Sequence, residues 1–471
     1  MNRLFKMAWR NIWRNRRRSL ITIASIFFAV FFALFMRSMQ LGSYGHMIKQ
    51  TIEKYSGYLQ IQNPEYFDEP SLDNSMEYSA ALIEKLNNTE GVKIAVPRIE
   101  SFALASTGHQ SKGIMVSGID PEKEKLASNP EFMLVNYRLS PEIVKTIIAE
   151  TDLAEKQQDF LKLFENSVYH NIDRLALDIA LKPEQFEPYK EIFEKHTKVD
   201  ASYLTEKDDG VLVSNRLSKF LRVDVGDTII LIGSGYQGAS AAGLFPVRGI
   251  VKVPSPDLDN KLVFMTLGKA QEFLDMADRI TAIAMNLQNT KEMFEIQERL
   301  SQSLNADAYV VKNWEEMNPV LKQQIEGDDK SGQMFVGILY FIIFFGIIGT
   351  VMMMIAERKR EFGVLVAIGM RKRKLALVVL IEMFFMGLVG TVSGMIAVIP
   401  LIITLYINPI TMTGEIAKMY EDMGFEAVMP TAPIDHYFTW QGLIVLLMVI
   451  LACYIPLKRI RKMKVMNALR A

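Results

Sequence analysis

The chain has 471 residues, half of them hydrophobic, with 53 Lys/Arg against 53 Asp/Glu and a mean hydropathy of +0.13. Soluble and membrane proteins share such totals, so the arrangement of residues decides the class. A single cysteine, Cys453, excludes a disulfide framework, and the five histidines (His46, His109, His170, His196, His436) lack metal-ligand spacing.

Leu4, Phe5, Ala8, Trp9, Ile12 and Trp13 recur at helical spacing, with Arg10, Arg14 and Arg16-Arg17-Arg18 on or beside the other face. The pattern predicts a cytoplasmic amphipathic helix over 1–18, tryptophans at headgroup level and arginines on anionic lipid. Leu20 to Met36 is nearly free of charge and predicts a first span over 19–41. That run is longer than a signal-peptide apolar core and no small-x-small site closes it, so it is expected to stay as an anchor.

Residues 42–332 read as one large external domain, big enough to bury a core without disulfides. Tyr58 to Gln62 alternates as a strand before an Asn63-Pro64 turn, Ser79 to Asn88 reads as a helix, and Val92 to Ile119 as short strands ended by Gly108, Gly113 and Gly118. Pro141 to Glu165 and Asn171 to Lys198 are rich in Glu, Lys, Leu and Ala, which predicts an inserted helical subdomain over 121–208. Strands are expected again around Val211, Thr228, Phe245 and Leu262, then helices over 268–277 and 290–304 and a strand near Tyr309.

Two long apolar runs predict spans at 333–356 and 375–406, and a fourth follows at 438–457. A kink or helix end is expected at Pro400 in the third. Gly387, Gly390 and Gly394 form a small-residue stripe suited to helix packing, within the subunit or with a second one. Glu382 near the start of that span needs a partner, and Arg358 or Arg360 would serve. Residues 407–437 read as a short external loop and 458–471 as a cytoplasmic tail.

Between the second and third spans, at 357–374, lies Glu357-Arg358-Lys359-Arg360-Glu361-Phe362-Gly363, running on through Ala367-Ile368-Gly369 to Arg371-Lys372-Arg373-Lys374. Phe362, Val364, Leu365, Val366 and Ile368 are more apolar residues than a connection needs and predict a short amphipathic helix whose buried face is covered by another protein. The N-terminal flank, this loop and the tail hold 20 of the 53 basic residues and only two of the 53 acidic ones, leaving 33 basic against 51 acidic elsewhere. Basic loops are retained inside, so both termini and the loop are expected in the cytoplasm and the large acidic domain outside. The composite is an α-helical membrane protein with four transmembrane helices plus a large α/β extracytoplasmic domain.

Gly233-Ser234-Gly235-Tyr236-Gln237-Gly238 matches G-x-G-x-x-G, but the residues after it are too short and Gly-rich for the helix a dinucleotide site requires. The segment through Phe245 and Pro246 reads instead as an exposed, mobile loop between strands that can serve as a contact point. No G-x-x-x-x-G-K-[ST] occurs, so the chain has no P-loop, and no acid/base or nucleophile constellation points to an enzyme.

Glu357 to Gly369 followed by Glu382 resembles the cytoplasmic loop and third span of MacB/FtsX-type ABC transporter permeases. Tyr454-Ile455-Pro456-Leu457 through Asn467-Ala468-Leu469-Arg470 resembles the closing segment of that family, with Asn467 where the family has Glu. Ala8 to Asn15, Gly57 to Ile61, and Val225-Gly226-Asp227-Thr228 look like its lipoprotein-releasing (LolC/LolE) branch.

The resemblance implies a MacB-like porter part with an inserted subdomain and a non-catalytic subunit working as a homo- or heterodimer. It also implies a separate cytoplasmic P-loop ATPase dimer, which would bind the ATP and Mg. Glu357, Arg358, Arg360, Glu361, Phe362, Gly363, Ala367 and Gly369 would then couple to the ATPase. Gly233, Gly235, Tyr236, Gly238, Phe245 and Pro246 would form a hairpin projecting toward a soluble periplasmic carrier. The expected task is lipoprotein release from a bacterial inner membrane, without cofactor, metal or nucleic acid. Peptide or drug export, and signalling to a cell-wall hydrolase, are the alternatives within the family.

Overall fold

The computed structural model describes residues 2–14, 16–422 and 426–463, and the chain divides into two units. A membrane unit comprises Met1–Gly45, Gln323–Ile410 and Met429–Ala471, and an α/β unit comprises His46–Lys322 and Thr411–Val428.

The α/β unit is organised by nine strands. These are β1 (Leu59–Gln62), β2 (Val92–Ser106), β3 (Ser111–Ile119), β4 (Val211–Ser214), β5 (Thr228–Ser234), β6 (Ser240–Val251), β7 (Leu262–Thr266), β8 (Ala282–Leu287) and β9 (Val310–Asn313). Their order is β9-β1-β8-β2-β3-β7-β4-β6-β5, and β5 also pairs back onto β2. Six strands therefore close a small barrel, while β9, β1 and β8 extend as a wing. The length of β2 makes this arrangement feasible: one edge pairs with β8 over Val92–Arg98 and then with β5 over Ala103–Ser106, while β3 runs along the other edge. Closure leaves no free barrel edge to pair with a foreign strand.

Glycine positions explain where the sequence reading of this region differs. Gly108 turns the β2–β3 hairpin with φ +85°, but Gly113 and Gly118 lie inside β3 rather than ending strands. Gly118 is there for proximity: a Cβ would sit 2.4 Å from the Ala270 Cβ of the helix Leu267–Phe273, which packs on that strand. β8 was not expected: three of its six residues, Ala282, Ala284 and Asn286, are poor strand formers, whereas the equally buried β7 is rich in Leu, Val and Phe.

The insertion is largely helical, but the long predicted stretches break into Pro141–Glu150, Glu155–Leu163, Ile172–Asp178 and Lys190–Thr197, with a ribbon of Tyr137–Arg138 against Val168–Tyr169. Ser140 and Asn171 start two of these helices by accepting from the backbone amides of Ile143 and Asp173. Leu139, Val144, Ile147, Phe164, Phe186 and Phe193 form its core, and Ala417 and Ala427 belong to the same core. The short external loop expected over 407–437 has structure of its own: its stretch 411–428 folds into the α/β unit, with the Lys252 Nζ 2.7 Å from Glu421 and Gly414 packed on Phe160.

Among the described residues, four helices are long and apolar enough to cross a bilayer: Arg16–Ser56, Pro319–Glu357, Lys372–Ile407 and His436–Lys462. The first changes to π-helix at Lys49. Ile26, Val30, Leu34, Val351, Val379, Met383, Val398, Val445 and Val449 build their common core. The glycine stripe is consumed within the chain. A Cβ on Gly390 would lie 2.9 Å from the Ile23 carbonyl oxygen, one on Gly394 2.8 Å from that of Phe27, and one on Gly387 3.0 Å from Val449. The third helix does not end at Pro400 but runs through it to Ile407.

Candidate functional site

Between the second and third membrane helices the backbone forms the helix Lys359–Ala367. Its end is set by glycine. Gly369 has φ +107°, its amide donates to the Val366 carbonyl (3.1 Å), and the Met370 amide donates to the Leu365 carbonyl (3.0 Å). This paired closure of the last turn is the Schellman arrangement, which needs a residue free to adopt positive φ.

The apolar face predicted for this helix is divided between two surroundings. Phe362 is 1% exposed and sits in the membrane unit's own core, with Leu365 and Val366 packed against it. The expectation that the whole face awaits another protein is therefore corrected: Phe362 is covered by this chain. Val364 and Ile368 remain outside, 42% and 80% exposed. Beside the C-terminal end of the helix lies a hollow of about 650 Å³ lined by Val366, Gly369, Met370, Arg371, Lys372, Arg373 and Arg461.

Arg358, the residue before the first turn, fastens the helix. Its Nη1 donates to both carboxylate oxygens of Glu382 in the third membrane helix (3.2 and 3.1 Å), and its Nε donates to Glu361 (3.2 Å). The guanidinium also lies over the Phe362 ring, 5.1 Å from its centre. Glu361 receives a second bond from Arg14 Nη2 (2.5 Å), and Glu357 pairs with Arg18. Partial burial works against ionising Glu361, yet the hydrogen bonds from Arg358 and Arg14 hold its carboxyl below the usual range.

Of the predicted coupling residues, Glu357, Arg358, Glu361 and Phe362 are thus brought together, and Gly363 is buried beside them. Gly369 closes the helix, while Arg360 and Ala367 face outward, Arg360 without an ion pair among the described residues. Arg358, not Arg360, meets Glu382. The sequence reading missed the acceptors of Arg14 and Arg18. Both had been assigned to lipid, and a pairing across 347 positions carries no spacing signal. Arg18 lies in the first membrane helix, whereas Arg14 ends the helix Asn2–Arg14, which buries Ala8 and Ile12 and sets Phe5 and Trp9 edge-on against Phe385. The C-terminal Asn467-Ala468-Leu469-Arg470 lies outside the described residues.

The segment Gly233 to Pro246 is mostly a β5–β6 hairpin, paired from Thr228–Pro246 to Ser234–Ser240. Its short tip is tied down. The Tyr236 amide donates to the Leu274 carbonyl (2.8 Å), the Gln237 amide to Asp73 (2.6 Å), and Arg279 lies over the Tyr236 ring. Gly235 lies against Leu274 with no room for a Cβ, Gln237 and Gly238 take the positive φ values of the turn, and Phe245 is buried on Phe273. The hairpin that the resemblance implies is formed, and the loop expected to be mobile has its tip hydrogen-bonded to Leu274 and Asp73. Among the described residues no group of three or more His, Cys, Asp or Glu could hold a metal.

Residues 333–465 match the family described as FtsX-like permease C-terminal. The lipoprotein-releasing system transmembrane protein LolC of Xylella fastidiosa strain 9a5c is 24% identical over 271 residues, 55% of this chain and 64% of that one. The ABC transporter permease YtrF of Bacillus subtilis is 29% identical over 161 residues, 32% of this chain and 35% of that one. The chain thus spans 55 to 64% of the length of the first two LolC relatives it matches. The solved periplasmic region of MacB from Actinobacillus actinomycetemcomitans aligns at a TM-score of 0.30 and 12% identity, covering 59% of this chain and 95% of that one. The C-terminal match and the LolC relatives support the MacB/FtsX-type resemblance, close to LolC.

Proposed function

We propose that this FtsX/LolC-type ABC transporter permease, itself non-catalytic, couples ATP hydrolysis by a separate cytoplasmic ATPase dimer to movement of its extracytoplasmic domain, releasing lipoproteins from a bacterial inner membrane. One observation carries the coupling half. The helix Lys359–Ala367 is short, closed by a glycine cap and fastened to the third membrane helix through Arg358 and Glu382, and it presents Val364 and Ile368 beside a basic hollow. A push on those side chains would reach a membrane helix through a buried ion pair rather than dissipate in a flexible loop.

In this reading the termini and the coupling helix face the cytoplasm, and a second permease subunit completes the complex. ATP and its Mg belong to the ATPase. The lipoprotein half is supported by the LolC relatives, whose name states that task.

Ile368→Asp is the direct test, because a residue 80% exposed can be changed without touching the core. Reconstituted with the ATPase that co-purifies with it, the variant should melt as the parent does and lose ATP-driven release of a lipoprotein from proteoliposomes. Unchanged release would overturn the coupling assignment. Capture of an outer-membrane duct or a cell-wall hydrolase in place of lipoproteins would overturn the cargo assignment alone.

A further inference from the structure

The stretch joining the third membrane helix to the fourth has residues in both units of the chain. Its residues 411–422 and 426–428 belong to the α/β unit, whereas Ile410 and Met429 belong to the membrane unit.

Within the α/β unit the stretch is built into the insertion. Ala417, in the helix Gly414–Asp422, is 1% exposed and Ala427 is 3% exposed, and both stand in one core with Leu161, Phe164 and Phe193. Met412 and Tyr420 pack on that core, and the Met412 amide donates to the Ala427 carbonyl (2.8 Å). Gly414 opens the helix at φ +67°, and a Cβ there would lie 2.9 Å from the Phe160 ring, so its backbone rests directly on the helix Glu155–Leu163.

Polar ties fix the same surface. Glu421 accepts from Lys252 Nζ (2.7 Å), just past β6, and from Ser167 Oγ (3.1 Å), to which Lys418 Nζ also donates (3.1 Å). Burial works against ionising Glu421, yet Lys252, Lys418 and Ser167 hold its carboxyl below the usual range. Arg216 Nη2 donates to the Asp422 carbonyl (2.5 Å), which holds the end of the helix. Lifting the helix off would strand a shielded carboxylate and wet two alanines, so the helix and the insertion move as one body.

Within the membrane unit both ends are short and anchored. The third membrane helix runs to Ile407, and only residues 408–410 separate it from Thr411. At the other end residues 429–430 lead to Thr431, whose Oγ1 donates to the Ile402 carbonyl of the third membrane helix (2.9 Å). The next residue, Ala432, exchanges bonds with Ser38 of the first membrane helix: its amide donates to the Ser38 carbonyl (2.8 Å), and Ser38 Oγ donates to its carbonyl (3.0 Å). Gly42 makes the room, since a Cβ there would sit 2.5 Å from the Thr431 carbonyl carbon. Three residues reach at most about 11 Å and two about 7 Å, so neither end has much slack.

We propose that this stretch is a strap by which the Ile407 end of the third membrane helix carries the inserted subdomain 121–208. The route is separate from the first and second membrane helices, which lead into β1 and out of β9. It rests on the coupling reading: a push on the helix Lys359–Ala367 reaches Glu382 near one end of the third membrane helix, and the strap follows its other end. Movement of the membrane unit then acts on the α/β unit at two places, the wing and the insertion, and works one against the other.

The test is amide exchange of the full chain in nanodiscs with the ATPase that co-purifies with it, with and without ATP. One variant lengthens both tethers, with about six Gly/Ser residues after Asn408 and about six after Met429, a change that loops tolerate at little cost. Without ATP its helix Gly414–Asp422 should exchange as in the parent, because the strap stays docked. In the parent, ATP should change exchange in Pro141–Glu150 and Glu155–Leu163; in the lengthened variant that change should be lost while the change at β1 and β9 persists. Glu421→Gln should speed exchange of Gly414–Asp422 and Glu155–Leu163 together by about tenfold, in keeping with the loss of a hydrogen bond to a charged group. An equal ATP response of the insertion in parent and lengthened variant, or a parent response confined to β1 and β9, would overturn the strap and leave the coupling reading standing. Loosening of Gly414–Asp422 alone in Glu421→Gln would overturn it as well, and no ATP response anywhere in the α/β unit would overturn both readings.

Discussion

The pair Arg358–Glu382 can be broken from either side, and the two sides should not cost the same. Their side chains are 12% and 3% exposed, so removing one partner strands a charge in a poorly hydrated place, at about 3–5 kcal/mol. Glu382→Gln leaves Arg358 with Glu361 still 3.2 Å from its Nε, so the loss should fall near the lower figure of about 3 kcal/mol. Arg358→Met leaves Glu382 with no ion-pair partner among the described residues and also removes the cation over Phe362, which places it near about 5 kcal/mol. The double variant Arg358→Met/Glu382→Leu should lose less than either single one, because a buried pair exchanged for apolar side chains is close to neutral. SDS-driven unfolding followed by tryptophan fluorescence would give the three values, and Trp9, stacked on Phe385 in the same helix as Glu382, places one reporter nearby. If the two single losses simply add in the double variant, the pair is not a unit and the fastening role assigned to it is wrong.

Gly369→Ala should cost about 1 kcal/mol, since φ +107° is a conformation that L side chains rarely adopt and nothing within 4 Å would obstruct the new methyl group. Faster amide exchange confined to 359–370 would report it, and unchanged exchange would count against the cap. Glu361 titrates below its unfolded value, so its ion pairs contribute fully above the unfolded pKa of about 4.3 and are lost as pH falls through the lower folded one. Parent and Glu361→Gln should therefore differ in protection of the coupling helix at pH 6 to 7 and converge as acid is added; a difference that grows with acid would have the wrong sign. Gly390→Val would drive a side chain into the Ile23 carbonyl and Ile26, and about 1–3 kcal/mol should be lost by overpacking, measured by the same SDS titration.

Much of the architecture was legible because a bilayer enforces it. Four apolar runs had to be spans, and Glu382 had to find a cation close to the start of its helix. Strands announced themselves where strand-forming side chains are dense, as in β5 and the fully buried β7, and not in β8, where Ala282, Ala284 and Asn286 dilute them. Glycine misled in both directions. Gly113 and Gly118 looked like strand ends although Gly118 serves a helix that packs on the strand, and the glycines after Ile232 looked like slack although Gly235 and Gly238 let a short tip dock. In the helix Lys359–Ala367 the amphipathic character was readable but the division of its apolar side chains was not. Nothing local says that Phe362 turns inward while Ile368, six residues on, stays in water, because that depends on where the third membrane helix lies. The pairing of Arg14 with Glu361 was out of reach for the same reason.

The ion pairs at the helix Lys359–Ala367 also decide what the surface offers to anything that touches it. Its two acids, Glu357 and Glu361, are already neutralised by Arg18, Arg14 and Arg358, whereas Lys359, Arg360 and Arg371 to Lys374 make no ion pair among the described residues. The remaining face is of one sign. A protein that seats on Val364 and Ile368 must therefore bring its own carboxylates, and one lined with lysine and arginine is turned away before any shape is compared. The union should loosen as ionic strength rises and the Debye length shrinks toward about 3 Å at 1 M salt, while the interior pair Arg358–Glu382 goes on holding.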